Sequence, residues 1–353
     1  MEDGSLKPKQ QEFAASALEL ALSLGFVPND IQPEVRDYYT NDSPRLAIIK
    51  GMYDGQPSLF VRWNDERPRR AVAAHQFCDA ALIHSPILVI PKLRKGVDFD
   101  DKSGWSIIEP LPQGAQKIER ARTSAAISEQ VSWAVEVARC FNPNADFSKS
   151  LAKPESAEVS IMTRLAFWIT KLGTGEGIRS AAGQDKLFPG GLDDILYSEA
   201  CQQIHRVFGP GGLAPNTTFG HGHLLPGHLY QVPSEKLVWL SPFDLGHMDW
   251  KLPGWDWSMM TWASTLMNRD NTALMMLADL DLWMTAARPY YRELGWTEKN
   301  MVQVMMAALL ERCLGTLIAD LGATGDCSEA TLKHRDRIME VLKNLLLRLQ
   351  VSE

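Results

Sequence analysis

Apolar and polar positions change rhythm repeatedly along the chain. "QEFAASALELALSL" (Gln11–Leu24) spaces its apolar residues three and four apart and stops at Gly25. That spacing predicts an amphipathic helix with a glycine end signal. "RLAIIKGM" (Arg45–Met52) and "SLFVRW" (Ser58–Trp63) are short and rich in strand formers, and "YDGQP" supplies turn residues between them, so the pair predicts a hairpin. "RRAVAAHQFCDAALI" (Arg69–Ile83) returns to helical spacing, and "PILVIPKL" and "WSIIEPL" predict two more strands. Beyond the connector "PLPQGAQ" (Pro110–Gln116) helices are expected over Ile118–Phe141, Glu158–Leu172 and Leu192–Val207. The stretch "FGHGHLLPGHLY" (Phe219–Tyr230) interrupts them. A second hairpin follows, "HLYQV" and "LVWLSPF" joined by "PSEK", and from Trp257 onward the pattern is again helical. The Met-rich run there reads as core packing, since Met fills irregular gaps between helices.

Composition narrows the class. The chain has 353 residues, 45% of them apolar and 22% charged, which suits a globular protein with a large core. Its net charge is −7 with no Lys/Arg block, which argues against nucleic acid or an anionic membrane surface as partner. Cys78, Cys140, Cys201, Cys313 and Cys327 are scattered and form no CxxC pair. A disulfide framework and a cysteine zinc site are therefore not expected, and a reducing, cytoplasmic setting is. No apolar run opens the chain, and charge interrupts the longest ones, so neither a signal peptide nor a membrane span is expected.

The histidine stretch carries most of the candidate chemistry. His221 and His223 would share a face in extended backbone, His228 and His247 offer further nitrogens, and Asp244 or Asp249 a carboxylate. A metal-dependent hydrolase is one reading of this set. The HxHxDH pattern fails, however, because Leu224 and Leu225 follow His223. A tight zinc site is not expected.

A wider window reads differently. "HGHLLPGHLYQVPSEKLVWLSPFDLGHMDWKLPGWDW" resembles the aminoglycoside phosphotransferase and choline kinase family. That family carries HGD-x-x-x-x-N, a hairpin, an Asp in a short metal-binding segment and a later structural Asp. His221-Gly222 and Pro226-Gly227 match the loop, Asp244 in "FDLG" follows the hairpin, and Asp256 in "GWDW" stands where the structural Asp falls. "SIIEPLPQG", with Glu109, is similar to the hinge strand, and "LFVRW" to the strand whose basic residue, here Arg62, contacts ATP. The resemblance implies an α+β, two-lobed protein-kinase-like fold with a small β-rich N-terminal lobe and a larger helical C-terminal lobe. Residues 1–30 would form a helical extension, 31–114 the N-lobe and 115–353 the C-lobe, with the catalytic-like loop over 219–256. It also implies ATP and Mg²⁺ as cofactors, with a nucleotide or small molecule in the cleft between lobes, and structural roles for His221 and Asp256.

The departures decide the expected function. His223 occupies the catalytic Asp position and His228 the metal-binding Asn position. The turn within "VRDYYTNDSPRLAII" has no glycine where a phosphate-covering loop needs close backbone approach. The helix "RRAVAAHQFCDAAL" has no Glu to pair with Arg62, leaving His75 or Asp79 as the nearest candidates. Phosphoryl transfer needs a carboxylate to orient the hydroxyl and oxygen ligands for Mg²⁺. Loss of general-base help alone costs ~10²–10⁴-fold. The expectation is a pseudokinase acting by ligand or protein-partner binding, with weak or absent ATP and Mg²⁺ binding. The alternatives are an active small-molecule kinase that uses His223 as base, and the metal-dependent hydrolase. Asp244 has a plainer alternative as the cap of the segment it opens, and Arg62 as an ordinary strand residue.

Overall fold

A computed structural model describes residues 6–38, 41–64, 68–96, 104–141, 146–173, 187–233, 235–293, 296–322 and 326–351. The chain folds into two compact units: Met1–Lys117 with His228–Met248, and Ile118–Gly227 with Asp249–Glu353.

The first unit opens with α1 (Pro8–Ser23), followed by β1 (Val27–Pro28), β2 (Glu34–Tyr38), β3 (Asn41–Tyr53) and β4 (Gln56–Trp63). After α2 (Pro68–Leu82) come β5 (Leu88–Val89), β6 (Leu93–Gly96), β7 (Gly104–Ile108) and β8 (Gln116–Lys117). β3 and β4 form the expected hairpin, in register from Leu46 opposite Trp63 to Tyr53 opposite Gln56. They sit in a six-stranded sheet ordered β1-β3-β4-β7-β6, with β2 also on β3. Successive side chains of a strand face opposite ways, and here both faces are covered. Ala47, Ile49 and Phe60 meet Phe13, Ala17 and Ala21 of α1, while Leu46, Ile48, Val61 and Trp63 meet Ala71 and Val72 of α2. Two-sided burial explains why "LAII" and "LFV" are unbroken apolar runs. Burying a side chain such as Phe13 or Phe60 contributes roughly 2–3 kcal/mol.

Two elements differ from the sequence reading. The run Pro86–Leu93 is not one strand: β5 pairs with a strand of a second sheet, and β6 pairs with β7 of the first. Pro91 falls between them, and without an N–H it cannot continue a ladder. The first long helix, α3, runs over Ser124–Cys140 rather than from Ile118. Gln116 and Lys117 are instead paired as strand with Gln231 and Tyr230, and the Thr123 hydroxyl caps α3 by accepting from the Ala126 N–H. The glycine-free turn at Tyr39-Thr40 lies outside the described residues.

The remaining elements are α4 (Asp146–Lys149), α5 (Ala157–Gly173), α6 (Tyr197–Phe208), β9 (Thr218–Gly220), β10 (Leu229–Gln231), β11 (Val238–Leu240) and β12 (Asp249–Lys251), then α7 (Trp255–Ser264), α8 (Ala273–Glu293), α9 (Glu298–Gly315) and α10 (Glu329–Val351). β10 and β11 are the second expected hairpin, pairing Leu229 with Leu240. β8 adds to β10 and β5 to β11, in the order β5-β11-β10-β8, so the hairpin groups with the first unit and not with the helical unit that follows it in sequence. In the second unit, every residue of α7 is buried. α9, with the π-helical turn Thr316–Gly322, is apolar and long enough to cross a membrane, but 94% of its most apolar window is buried inside the protein, as in a core helix.

Candidate functional site

The loop after β9 is fixed from behind. β9 pairs antiparallel with β12, setting Gly220 opposite Asp249 and Phe219 opposite Trp250. The chain then enters α7, whose second residue is Asp256. The Asp256 carboxylate is buried and accepts from the His221 N–H at 2.8 Å and the Gly222 N–H at 2.9 Å. The indole N–H of Trp255 donates to the Gly222 carbonyl at 2.8 Å. Gly222 has φ +78°, a backbone conformation that favours glycine. Gly220 is glycine for space, since a Cβ there would lie 2.5 Å from an Asp256 oxygen. Burial raises the Asp256 carboxyl to about 6, against the pull of the two backbone bonds and of Lys251. Trp255 is held in turn by Arg312 of α9, whose guanidinium lies 4.4 Å from its ring centre. The sequence pointed to Asp256. It missed Gly220 and Trp255, whose signals were the glycine ahead of His221 and the tryptophan beside Asp256.

His221 is fully buried, and its Nδ1 accepts from the His223 N–H at 3.3 Å. An accepting Nδ1 belongs to the neutral ring carrying its proton on Nε2. His223 follows Gly222 and is half-buried.

Asp244 stands in the first unit, where it opens the short 3-10 turn Leu245–His247. Its carboxylate makes no capping bond to that turn. It accepts from the Ser241 hydroxyl at 2.8 Å instead, and faces His228 Nε2 at 3.8 Å and the Arg45 guanidinium at 4.0 Å. The hairpin brings His228 here, because the Ser241 N–H donates to the His228 carbonyl across it. Arg45 and Ser241 were not singled out in the sequence. Arg45 is on β3, far from Asp244 in the chain, and only Ser241, three residues ahead of Asp244, left a local trace.

Arg62 lies within β4. It shares a strand face with Phe60, the face covered by α1, and its guanidinium donates to the Ser16 hydroxyl at 2.5 Å and lies 5.3 Å from the Phe13 ring centre. α2 packs on the opposite face, so neither His75, buried on α2, nor the exposed Asp79 is its partner. Period-two alternation is the physical reason. Glu109 directly follows β7, its carboxylate 3.3 Å from Arg94 and accepting from the Lys92 N–H. Its own N–H donates to the Lys92 carbonyl.

The donor set can be weighed against the groups the resemblance implies. Mg²⁺ takes oxygen ligands in near-octahedral geometry. Of the positions tied to metal binding, Asp244 offers carboxylate oxygen and His228 an imidazole nitrogen, and the guanidinium of Arg45 faces the same carboxylate. This set does not fit Mg²⁺. Arg62, turned to α1, does not fit a nucleotide-contacting role.

No family model matches the sequence, and no curated protein is similar to it at a significant level. Solved structures are similar in fold. A microcompartment-associated aminopropanol kinase superposes with TM-score 0.60 at 13% identity, over 96% of this chain and 98% of that one. An aminoglycoside phosphotransferase from Alicyclobacillus acidocaldarius gives 0.52 at 11% identity over 99% and 98%. The aminoglycoside phosphotransferase APH(4)-Ia gives 0.52 at 10% identity over 94% and 98%. The chain therefore has the α+β, kinase-like fold of these phosphotransferases.

Proposed function

From that shared fold, we propose that this chain is a phosphotransferase-like protein that binds a small molecule or nucleotide but has lost efficient phosphoryl transfer. The observation that carries the reading is the environment of Asp244. The carboxylate that would hold a cation is met by Arg45 and His228, side chains that repel Mg²⁺ or ligate it poorly. A histidine at 223 adds to this. Neutral imidazole can accept a proton, but it supplies no negative charge to hold a hydroxyl nucleophile beside a metal-bound phosphate. The loop's anchor by Asp256 is intact, which supports a retained frame without its former chemistry.

The test is calorimetry with Mg²⁺-ATP on the wild type and on His223→Asp/His228→Asn, together with a turnover assay on aminoglycoside and amino-alcohol substrates. Weak or absent binding by the wild type, improved by the double substitution, supports the reading. Wild-type turnover at ~1 s⁻¹ or faster, abolished by His223→Ala, would overturn it and make His223 the base of an active kinase.

A further inference from the structure

The second unit contains a cavity of about 580 Å³, within the ~300–1,000 Å³ of small-molecule sites. Its walls come from α3, from the segment 213–220 ahead of the loop, from 250–257, and from the end of α8 onward to Trp296. The lining is aromatic, with Trp250, Trp255, Trp257 and Trp296 contributing. Planar rings around a void of this size favour a planar apolar body.

Charge selects the other end of the ligand. Lys153 and Lys251 also line the cavity. Lys153 Nζ lies 4.8 Å from the Trp250 ring centre and Lys251 Nζ 5.9 Å from that of Trp255. Trp255 carries Arg312 as well, at 4.4 Å. Ring faces that would attract a cationic ligand thus already hold the protein's own cations. Asp256 is the acidic member of the wall, and both of its oxygens are engaged by the loop's backbone N–H groups. Two further donors belong to the wall. Trp257 Nε1 and Thr217 Oγ1 have no hydrogen-bond partner, in side chains 4% and 6% exposed. Donors and ammonium groups together ask for an acceptor-bearing anion.

We propose that this cavity binds a small planar aromatic carboxylate, its ring among the tryptophans and its carboxylate directed to Lys153, since the Lys251 ammonium already faces the Asp249 carboxylate at 3.6 Å. Its lining includes neither Asp244 nor His228, and the proposal does not depend on the reading of the loop as degenerate. It shares Gly220 and Asp256 with the loop anchor, so an occupant lies against the groups that hold the loop.

The probe is 2-naphthoate, titrated into the full chain by calorimetry, with 2-naphthylmethylammonium as the charge-reversed control. Saturable single-site binding is expected for the carboxylate, with the cation at least about tenfold weaker. Lys153→Ala, at an exposed position, should weaken naphthoate about tenfold. Ala138→Trp, on the exposed rim contributed by α3, should abolish binding while leaving the melting temperature unchanged. Absence of saturable binding at millimolar naphthoate overturns the proposal. So does equal binding of the cation, or naphthoate affinity untouched by both substitutions. If Ala138→Trp fails to fold, the Lys153→Ala and charge-reversal arms still decide.

Discussion

Asp256 and Asp244 belong to the same stretch of chain and are held in opposite ways. Asp256 is buried, and both of its oxygens accept short bonds from backbone N–H groups. Asp244 has a side chain 16% exposed, bonds to one hydroxyl, and faces the His228 imidazole at 3.8 Å and the Arg45 guanidinium at 4.0 Å. The Asp256 contacts use the backbone N–H groups of His221 and Gly222, so they do not depend on the side chain at 223. The Asp244 contacts use side chains, so the chemistry there is set by what stands opposite.

The contrast is broken most directly at Asp256. Asp256→Ala strands one buried and one partly buried backbone donor, with a buried one costing about 1–3 kcal/mol. A loss on the order of 3–5 kcal/mol is expected in urea unfolding. Asp244→Ala removes a partly exposed, loosely paired charge and should cost about 1 kcal/mol or less. Equal losses would remove the distinction. Gly220→Ala, which crowds the Asp256 carboxylate, should follow Asp256→Ala in direction with a smaller loss.

pH sharpens the comparison. Burial raises Asp256 to about 6 from an ordinary 3.8, so its contribution to stability is full below 3.8 and is lost as pH rises from 3.8 through 6. His75 is displaced the other way. Burial lowers it from 6.5 to about 4, its own backbone opposing in part, so its contribution is full above 6.5 and is lost as pH falls through that window. The two linkages oppose each other in the wild type. His75→Leu removes one of them, and its stability relative to the wild type should climb by about 3 kcal/mol as pH falls from 6.5 to 4. A pH-independent difference would mean that His75 takes up its proton without hindrance in the folded chain.

The sequence made the frame more legible than the site. The β3–β4 hairpin, α1, α2 and the β10–β11 hairpin followed from periodicity and turn residues, because local rules govern them. Asp256 was found through its place in "GWDW". That Arg62 faces α1 was not legible, because alternation says which residues share a face but not which helix will cover that face. The Pro86–Leu93 run was misread because one apolar run can serve two sheets when a proline lies within it. Arg45 reaches Asp244 only through tertiary structure, and nothing local marks it.

The smallest expected effect bears most closely on function. Arg45 is about 25% exposed and lies 4.0 Å from Asp244, at the outer limit of an ion pair. Arg45→Ala should change stability by less than about 1 kcal/mol. Its effect on cations should be easier to read. If the guanidinium partly neutralises Asp244 in place of a metal, removing it leaves the carboxylate to His228 and Ser241, and Mg²⁺-dependent nucleotide binding should improve by roughly two- to fivefold. The change should shrink as salt rises, because the groups are partly exposed and screened. Calorimetry at two ionic strengths measures both effects. Weaker Mg²⁺-ATP binding by the variant would show that Arg45 assists the nucleotide, and would move this chain toward the working kinases whose fold it shares. Improvement in Arg45→Ala, added to that of His223→Asp/His228→Asn, would place the block at Asp244's neighbours as well as in the loop.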